Sequence, residues 1–588
     1  MHLLSRHGGL RSSFEARGFT KWDYTSPAFL KEDDSGTVLC IPTTFVSYNG
    51  VSLDERQPLM NSCIALNNAS IELLKLFGDN FNSVSAVVGA EQEYFLIDKE
   101  IFKKRKDLIL TGRTLFGSNT AKSQDMVNHY LGSIDEKIAI FMKEVDTTLW
   151  KLGILSKTKH NEAAPCQYEL APFFEEVNLA CDHNQLTMET LKKVARKNGF
   201  ECLLHEKPFK NVNGSGKHVN WSITTNNGKN LISPGNTLEE NARFLTILCA
   251  ILSGIDKHKD LLKASVMSAS NDHRLSGYEA PPAIISVYLG DKLTSIIEKI
   301  INNADNKNIT IEDFKLPHLN PNDTDRNRTS PMAFLGNRFE FRMPGSSSTI
   351  SICNTILNTI FADEFFNISK KLERSKNLYS DLYKLLAKNF KTHFKIIYDG
   401  NGYSDEWIQE AENRGISSVN NAPESFMAFI SDSSLELFNK YNIYNKEELF
   451  ARYRIKTDKY IKLVKIEAKT LLEIVHSQII PVCMKYSGFL SRNISTLTQV
   501  NTSTYAETHI LEKLTNNIDD LYKNNEILQD NLNKSNNIND LHETAMFFNT
   551  VILDNMRNVR TNIDNLEKIV DRDVWGIPVY TDILHGNL

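Results

Sequence analysis

Val88-Gly-Ala-Glu91-Gln-Glu93-Tyr-Phe-Leu-Ile97 is the stretch of the chain that decides its fold class. It predicts a strand, in which successive side chains point to opposite faces. Glu91 and Glu93 then share one face, while Tyr94 and Leu96 lie on the other. We therefore expect a strand that is anchored in a core on one face and carries two carboxylates on the other.

Two later segments repeat this arrangement. They read Lys217-His218-Val-Asn220-Trp-Ser222-Ile and Asn337-Arg338-Phe-Glu340-Phe-Arg342-Met. In both segments, polar or charged side chains alternate with apolar ones, so each strand again has a polar face and an apolar face. The polar faces add an imidazole, another carboxylate and two guanidinium groups.

A fourth element, residues 161–170, holds two more carboxylates seven positions apart, Glu162 and Glu169. In one unbroken strand, an odd spacing would point these side chains to opposite faces. Pro165 lies between them, cannot donate to a strand ladder and favours a bend. We expect the bend to return both carboxylates to one site.

Together the four elements offer five carboxylates and one imidazole. These suffice for two Mg²⁺ or Mn²⁺ ions with three protein ligands each, with water or substrate oxygens completing the coordination. Arginines suit the same site, because the charge of a transferring phosphoryl group lies on its non-bridging oxygens. The six candidate metal ligands are Glu91, Glu93, Glu162, Glu169, His218 and Glu340.

Each signal has an ordinary structural explanation when it stands alone. A Glu-x-Glu strand is most often a solvated face, and Arg-x-Glu-x-Arg is most often a ladder of cross-strand ion pairs. The loop Asn213-Gly-Ser-Gly216 resembles the end of a P-loop, but Asn211 and His218 stand where that motif requires glycine and Ser or Thr. We therefore reject a P-loop. The inference of a metal and phosphate site rests on the occurrence of all these segments, in this order, in one chain.

That combination resembles the glutamine synthetases, specifically their long third type. The similarity runs from Gly8 to about Ile350. The motifs that carry it include Trp22-Asp23-Tyr-Thr-Ser-Pro27, Gly89-Ala-Glu-Gln-Glu93, Lys159-His-Asn-Glu162, Asn213 to Trp221, Asn271-Asp-His-Arg274, Glu279-Ala-Pro-Pro282, Asp325-Arg-Asn-Arg328 and Gly336 to Pro344.

The resemblance implies a role for each candidate residue. The metal ion nearer the glutamate substrate would be held by Glu93, Glu162 and Glu169. The ion that bridges the ATP phosphates would be held by Glu91, His218 and Glu340. Glutamate would be bound by Arg274, Asn213 and Gly214. ATP would be bound by Arg338, Ser222 and Asn220.

The catalytic residues implied by the resemblance are Asp23, Glu279, Arg328 and Arg342. The two arginines would stabilise the phosphoryl group in flight. Glu279 would close a flap over the substrate, and Asp23 would take a proton from ammonium. The reaction would be ligation of ammonia to glutamate through γ-glutamyl phosphate, since phosphate, unlike oxide, is an adequate leaving group.

The same resemblance implies Mg²⁺ or Mn²⁺ as cofactor, ATP as co-substrate and a homo-oligomer of stacked hexameric rings, a dodecamer. Three alternatives stay open on the sequence. One is a related glutamate–amine ligase, and another is an inactive structural or nitrogen-sensing paralogue. The third, a metal-dependent phosphohydrolase, would need neither Arg274 nor Glu279.

The resemblance also predicts an α+β fold. It comprises a partial N-terminal β-grasp domain (1–55), a catalytic domain with a curved antiparallel sheet flanked by helices (56–350), a mainly helical continuation (351–500) and a C-terminal helical hairpin and tail (501–588). Third-type chains usually carry a substantial segment before Gly8, so we expect the β-grasp domain to be truncated or its opening strands replaced. Heptads in the hairpin predict either packing within the chain or an oligomer contact.

Composition excludes several other classes. Lys plus Arg number 67 and Asp plus Glu 72, so the net charge of −5 provides no basic surface for nucleic acid. The longest apolar-rich stretch, Phe244 to Ile255, is too short to span a membrane. The eight cysteines form no Cys-x-x-Cys motif, which favours a reducing compartment, and we expect a cytoplasmic protein.

Overall fold

The computed structural model describes residues 18–33, 36–48, 52, 54–275, 284–304, 309–317, 329–402, 404–416 and 421–586. Two predicted site residues, Glu279 and Arg328, lie outside the described residues. The described chain has an α+β fold, as the sequence predicts, with a large sheet in its first half and helices from residue 351 onward.

A nine-stranded sheet positions the candidate site. The described strands are β1 (Gly18–Trp22), β2 (Phe29–Asp33), β3 (Gly36–Cys40), β4 (Thr43–Ser47), β5 (Val84–Asp98), β6 (Ser156–Asn161), β7 (Gln167–Pro172), β8 (Glu175–Glu176), β9 (Phe200–Leu203), β10 (Lys217–Thr225), β11 (Val287–Tyr288), β12 (Met332–Phe334) and β13 (Phe339–Phe341). The large sheet has the order β11-β12-β13-β10-β5-β7-β6, and β8 and β9 also pair with β5. β1 pairs with β4, and β2 pairs with β3.

Strand β5 is the centre of this sheet because it pairs with β7, β8, β9 and β10, and most of its length is buried. Val88 and Ala90 lie in the main core, and Tyr94 and Leu96 lie in a second core. On the other face of the strand, Glu91 and Glu93 are followed by apolar residues that the C-terminal tail covers. The polar site therefore occupies only part of one face.

The predicted antiparallel pairing is confirmed for the described neighbours in this sheet except β11 and β12, which are parallel. Parallel neighbours cannot be joined by a tight hairpin and need a longer crossover. The connection between them contains the helix Asp291–Asn302.

Helices cover the apolar face of the sheet and form the C-terminal half. Trp221 of β10 packs edge-on against Phe361, with ring centroids 4.8 Å apart. The described α-helices are Arg56–Lys75, Lys99–Lys103, Lys106–Thr111, Glu136–Lys151, Val177–Lys197, Leu238–Lys257, Lys259–Val266, Ala269–Leu275, Asp291–Asn302, Ser351–Leu372, Leu378–His393, Asp405–Asn413, Ala422–Ser425, Asp432–Lys440, Lys446–Ile474, Ile480–Gln499, Tyr505–Ser535, Leu541–Phe547, Leu553–Ile569, Arg572–Trp575 and Tyr580–His585. Short 3₁₀ segments are Ile311–Phe314, Phe394–Ile396 and Phe426–Ile430.

A π-helical segment, Val475–Ile479, joins two long helices and ends two residues before Pro481. Proline lacks the N–H for a helical hydrogen bond and clashes with the preceding turn, which explains the local widening. A second π segment is Phe548–Ile552. Among the described helices, none combines the length and apolarity needed to cross a membrane.

Most of the predicted heptad positions in the helix Tyr505–Ser535 are buried within the chain, namely Leu514, Ile518, Leu521, Asn525, Leu528 and Leu532. The helix Tyr505–Ser535 turns its buried residues toward Ile480–Gln499 and Leu553–Ile569. Asn525 interrupts this apolar seam, and its Nδ2 lies 2.8 Å from His476 Nε2. The seam therefore packs inside the chain, as one of the two interpretations of the heptads predicts.

Candidate metal and substrate site

The strand register brings the predicted metal ligands together. Antiparallel pairing places Glu91 opposite His218 and Glu93 opposite Glu169. β13 enters beside β10 with Glu340 opposite Asn220, two positions from His218 on the same face. Because side chains of adjacent strands on one face lie close together, the register alone assembles most of the site.

Three groups of ligand atoms result, and the atoms of each group lie within 4.8 Å of one another. The first group is Glu91, His218 and Glu340. The second is Glu93, Glu169 and His218. The third is His160, Glu162 and Glu169.

His218 is shared by the first two groups. Its Nδ1 lies 3.0 Å from Glu91 Oε2 and 3.3 Å from Glu340 Oε1. Its Nε2 lies 3.5 Å from Glu93 Oε1. Burial disfavours protonation of His218, but hydrogen bonds to Glu340 and Glu91 outweigh it and raise the pKa of His218 well above its ordinary value.

Glu162 reaches the site through the predicted bend. β6 ends at Asn161 and β7 begins at Gln167, so the turn contains Pro165, and Cys166 adopts a φ of 62°. The turn closes with a hydrogen bond of 2.9 Å from the Glu162 backbone N–H to the Gln167 carbonyl. Glu162 and Glu169 thereby point into one group, as the sequence predicts.

His160 joins these two carboxylates and is absent from the sequence-based ligand set. Its Nε2 lies 3.0 Å from Glu169 Oε1, and its Nδ1 lies 3.5 Å from Glu162 Oε1. The signal that would have identified it is the hairpin register, in which His160 faces Glu169. The hydrogen bond to Glu169 raises the pKa of His160 to about 9.

The electrostatics of the cluster fit divalent cations. Burial and the nearby Glu93 and Glu169 carboxylates raise the pKa of Glu162 to about 8. Burial likewise raises the pKa of Glu169, although the hydrogen bond from His160 opposes the shift. Converging buried carboxylates are stable in their charged forms only beside compensating positive charge. Carboxylates with one imidazole are the donor set that Mg²⁺ or Mn²⁺ accepts.

The predicted nucleotide-binding residues continue from the metal ligands along the same face. Asn220 Nδ2 donates to Glu91 Oε1 at 2.9 Å, and Arg338 Nε donates to Asn220 Oδ1 at 2.9 Å. Ser222 Oγ donates to the Asn337 carbonyl at 2.9 Å. Arg342 lies on the other side of the cluster, with its Nε 3.9 Å from Glu340 Oε2. The arginines thus flank the carboxylates.

The glycine loop and Arg274 form the adjoining part of the site. Gly216 N donates to Glu93 Oε2 at 2.7 Å, which ties the loop to a metal ligand. Arg274 packs against Gly214 and Gly216 so closely that a Cβ on Gly216 would lie 2.1 Å from Arg274 Nη2. Asn213 is held by Gln124, which accepts from its backbone N at 3.1 Å and donates to its Oδ1 at 3.0 Å.

The guanidinium of Arg274 is aimed by backbone carbonyls. Its Nη2 donates to the Arg342 carbonyl at 2.8 Å, and its Nη1 donates to the Met343 carbonyl at 3.0 Å. These carbonyls directly follow β13, which carries Glu340. Arg274, the predicted glutamate-binding arginine, and Glu340, a predicted metal ligand, are therefore held by the same strand and the residues that follow it.

Asp23 lies in a different cluster of the same chain. It accepts from Arg56 Nε at 2.5 Å and from Thr25 Oγ1 at 2.6 Å, and Arg56 also binds Asp182. Burial alone would raise the pKa of Asp23, but the hydrogen bonds from Thr25 and Arg56 lower it. Among the described contacts, none joins Asp23 to the metal-ligand cluster.

Comparisons with known proteins identify the family of the chain. Three glutamine synthetase profiles match the chain: "Glutamine synthetase type III N terminal" at residues 6–62, "Glutamine synthetase, catalytic domain" at 76–312 and "Glutamine synthetase C-terminal domain" at 381–498. The catalytic profile covers Glu91, Glu93, Glu162, Glu169 and His218.

Two glutamine synthetases are similar to this chain over nearly its whole length. The "Type-3 glutamine synthetase" of Dictyostelium discoideum is 40% identical over 592 residues, which cover 98% of this chain and 80% of that protein. The "Glutamine synthetase" of Bacteroides fragilis is 38% identical over 596 residues, covering 98% and 81%. A cryo-EM structure of Plasmodium falciparum glutamine synthetase aligns with a TM-score of 0.48 and 17% identity, over 78% of this chain and 85% of that one.

The matched family models and relatives identify the protein as a ligase, and the described chain has an α+β fold with a cluster of carboxylates that could hold metal ions. The chain belongs to the glutamine synthetase family, and within it to type III. Its function is glutamine synthesis, and the family uses ATP and divalent metal ions. The inactive-paralogue alternative is not favoured.

Proposed function

We propose that this protein ligates ammonia to glutamate at the described cluster, with two Mg²⁺ or Mn²⁺ ions as cofactors. Glu93, Glu162 and Glu169 would hold one ion, and Glu91, His218 and Glu340 the other. The observation that carries the proposal is the convergence of these six side chains from four strands and one turn. The ions would neutralise charge on the ATP phosphates and on glutamate.

The residues of the chain would act in two steps. In the first, an oxygen of the glutamate γ-carboxylate attacks the γ-phosphorus of ATP, the bond to the bridging oxygen breaks, and ADP leaves. Arg274 holds the α-carboxylate of glutamate, while Arg338 and Arg342 bind phosphate oxygens. The flanking positions of these guanidinium groups around the carboxylates support this assignment.

In the second step, ammonia attacks the γ-carbonyl carbon of γ-glutamyl phosphate and the C–O bond to phosphate breaks. Asp23 would accept the proton that converts ammonium to ammonia. The Asp23 carboxylate is ionised at neutral pH, as a proton acceptor must be, and the Thr25 and Arg56 hydrogen bonds that lower its pKa fix its position while reducing its basicity. Glu279 and Arg328 keep the flap and phosphoryl roles that the family resemblance implies.

Asp23 would serve the pocket of a neighbouring subunit in a ring. Its separation from the carboxylate cluster of its own chain supports a shared site, because a head-to-tail contact brings Asp23 of one subunit toward the metal ligands of the next. We propose stacked hexameric rings as the assembly and the cytoplasm as the location. All eight cysteines are free thiols, which supports a reducing compartment.

The proposal is tested by incubating the purified protein with ATP, Mg²⁺, glutamate and ammonium. We expect glutamine and ADP to appear in equal amounts, with no ADP when glutamate is omitted and no sustained ADP release when ammonium is omitted, because the first step alone cannot turn over. Ammonium and polyamines are offered in separate reactions. A product only with polyamines would identify a glutamate–amine ligase, and ADP release without glutamate would identify a phosphohydrolase.

A further inference from the structure

The last described residues, 577–586, pack against the body of the chain beside the loop that is predicted to bind glutamate. They contain the short helix Tyr580–His585, in which Tyr580, Ile583 and Leu584 are buried. The ends of a chain are usually poorly ordered unless contacts tie them down. The burial of this segment, called here the C-terminal tail, therefore makes it a fixed part of the fold.

The hydroxyl group of Tyr580 uses its whole hydrogen-bonding capacity on other elements. Thr114 Oγ1 donates its single proton to the Pro208 carbonyl at 2.8 Å, so the Tyr580 hydroxyl is the donor of their 2.7 Å bond. The same hydroxyl accepts from the backbone N–H of Lys210 at 3.0 Å and from Arg560 Nη2 at 2.8 Å. One proton and two lone pairs are thus all paired, which fixes these elements relative to one another.

These bonds hold the segment that leads into the glycine loop. Pro208 and Lys210 shortly precede Asn213, the first of the predicted glutamate-binding residues. Phe209, between them, is fully buried and packs edge-on against the Tyr580 ring, with centroids 5.6 Å apart. Because each residue has only two soft dihedral angles, an anchored backbone at Lys210 limits where Asn213 can lie.

The other end of the tail supports the turn that carries Glu162. Cys166 Sγ, in this turn, donates to the Leu584 carbonyl at 3.4 Å. A thiol is a weak donor, so most of the support is apolar. Ala164 of the turn and Val212 of the glycine-loop segment pack with the tail in one small core. The tail therefore contacts both loops of the predicted glutamate half of the site.

The predicted nucleotide half of the site is supported differently. Asn220 is bonded to Glu91 and Arg338, and Ser222 is bonded to the Asn337 carbonyl. Among the described hydrogen bonds and ring contacts, none joins the tail to Asn220, Ser222 or Arg338. The tail thus supports one half of the site only.

We propose that Tyr580 is a positioning residue, through which the C-terminal tail fixes the glycine loop and thereby the glutamate half of the site. Tyr580 acts without touching either substrate, and the inference rests on the proposed function because it concerns the glutamate pocket described there. Loss of the hydroxyl should weaken glutamate binding and leave ATP binding nearly unchanged. A role in overall stability alone would affect both substrates equally.

Tyr580→Phe tests the inference because it keeps the buried ring and removes the hydroxyl. A displacement of about 1 Å in a positioning element can cost roughly 100-fold in rate, so a smaller shift of the loop should raise the KM for glutamate about tenfold. The KM for ATP should change less than about twofold. Tyr522→Phe, at an exposed tyrosine of the helix Tyr505–Ser535, is the matched control and should leave both constants unchanged.

Hydrogen–deuterium exchange gives a second readout that requires no turnover. Tyr580→Phe should speed exchange in residues 206–216 and leave exchange in the strand Phe339–Phe341 unchanged. Leu584→Ala removes apolar contacts at the other end of the tail and should speed exchange in residues 162–167. This variant decides the question if Tyr580→Phe does not fold.

The two readouts separate failure of this inference from failure of the proposed function. If the unmodified protein makes no glutamine, the proposed function fails, and the exchange measurements still decide whether the tail fixes the loop. Equal rises in the two KM values in folded Tyr580→Phe would overturn the inference. Exchange in residues 206–216 that is unchanged by the loss of the hydroxyl would also overturn it.

Discussion

Gly216→Ala is the sharpest test of how the glycine loop and Arg274 cooperate. A Cβ at Gly216 would lie 2.1 Å from Arg274 Nη2 and 2.6 Å from its Cζ. Ordinary van der Waals contact begins near 3.4 Å, so the guanidinium must retreat by about 1.3 Å. The backbone itself tolerates alanine, because Gly216 is not among the described glycines with positive φ.

The displacement should damage function much more than stability. The clash falls on the far end of a flexible side chain, whose hydrogen bonds to the Arg342 and Met343 carbonyls would lengthen. Misplacing a substrate-positioning group by about 1 Å can cost roughly 100-fold in rate. We therefore expect kcat/KM for glutamate to fall about 100-fold while the KM for ATP changes less than about threefold.

Steady-state kinetics with each substrate varied in turn, together with a thermal unfolding curve, measures both effects. Gly488→Ala is the matched control, since the nearest atom to its added Cβ is 3.6 Å away, and it should leave both kinetic constants unchanged. An unchanged kcat/KM for glutamate in folded Gly216→Ala would refute the reasoning. An equal rise in the KM for glutamate and in the KM for ATP would show that the loop does not act through Arg274.

Four further outcomes are expected. Arg274→Lys keeps the charge but loses the bidentate fork, so the KM for glutamate should rise far more than the KM for ATP; an equal rise would contradict the assignment. Glu93→Gln should lower turnover by orders of magnitude with an unchanged unfolding curve, and near-normal turnover would exclude it as a metal ligand. The pKa of Glu162 is raised to about 8, so metal binding must release its proton. Mg²⁺ affinity measured by calorimetry should therefore weaken by up to about tenfold per pH unit as the pH falls from about 8 to 6. An Mg²⁺ affinity that does not change with pH would place this carboxylate outside the metal site. Co-expressed Asp23→Ala and Glu340→Ala chains should recover activity toward about a quarter of the normal level in mixed rings, whereas no recovery in verified mixed rings would mean that sites are not shared.

The sequence alone determined which side chains share a face. In β5 and β10, the period of two places Glu91 with Glu93 and His218 with Asn220 and Ser222, whatever the neighbouring strands are. Pro165 between Glu162 and Glu169 likewise predicted the turn that returns both to one site. The family resemblance then predicted a substrate-binding role for Arg274, which lies on the helix Ala269–Leu275.

Only the tertiary structure decided which faces meet. His160 joins the cluster of candidate ligands because the β6–β7 register places it opposite Glu169. The edge strands β11 and β12 are parallel because a crossover connects them. The approach of Gly216 to Arg274 joins residues that are far apart in the chain. Local periodicity sets the direction of a side chain along its own element, but contacts between elements depend on how whole layers pack, and no short-range pattern encodes that.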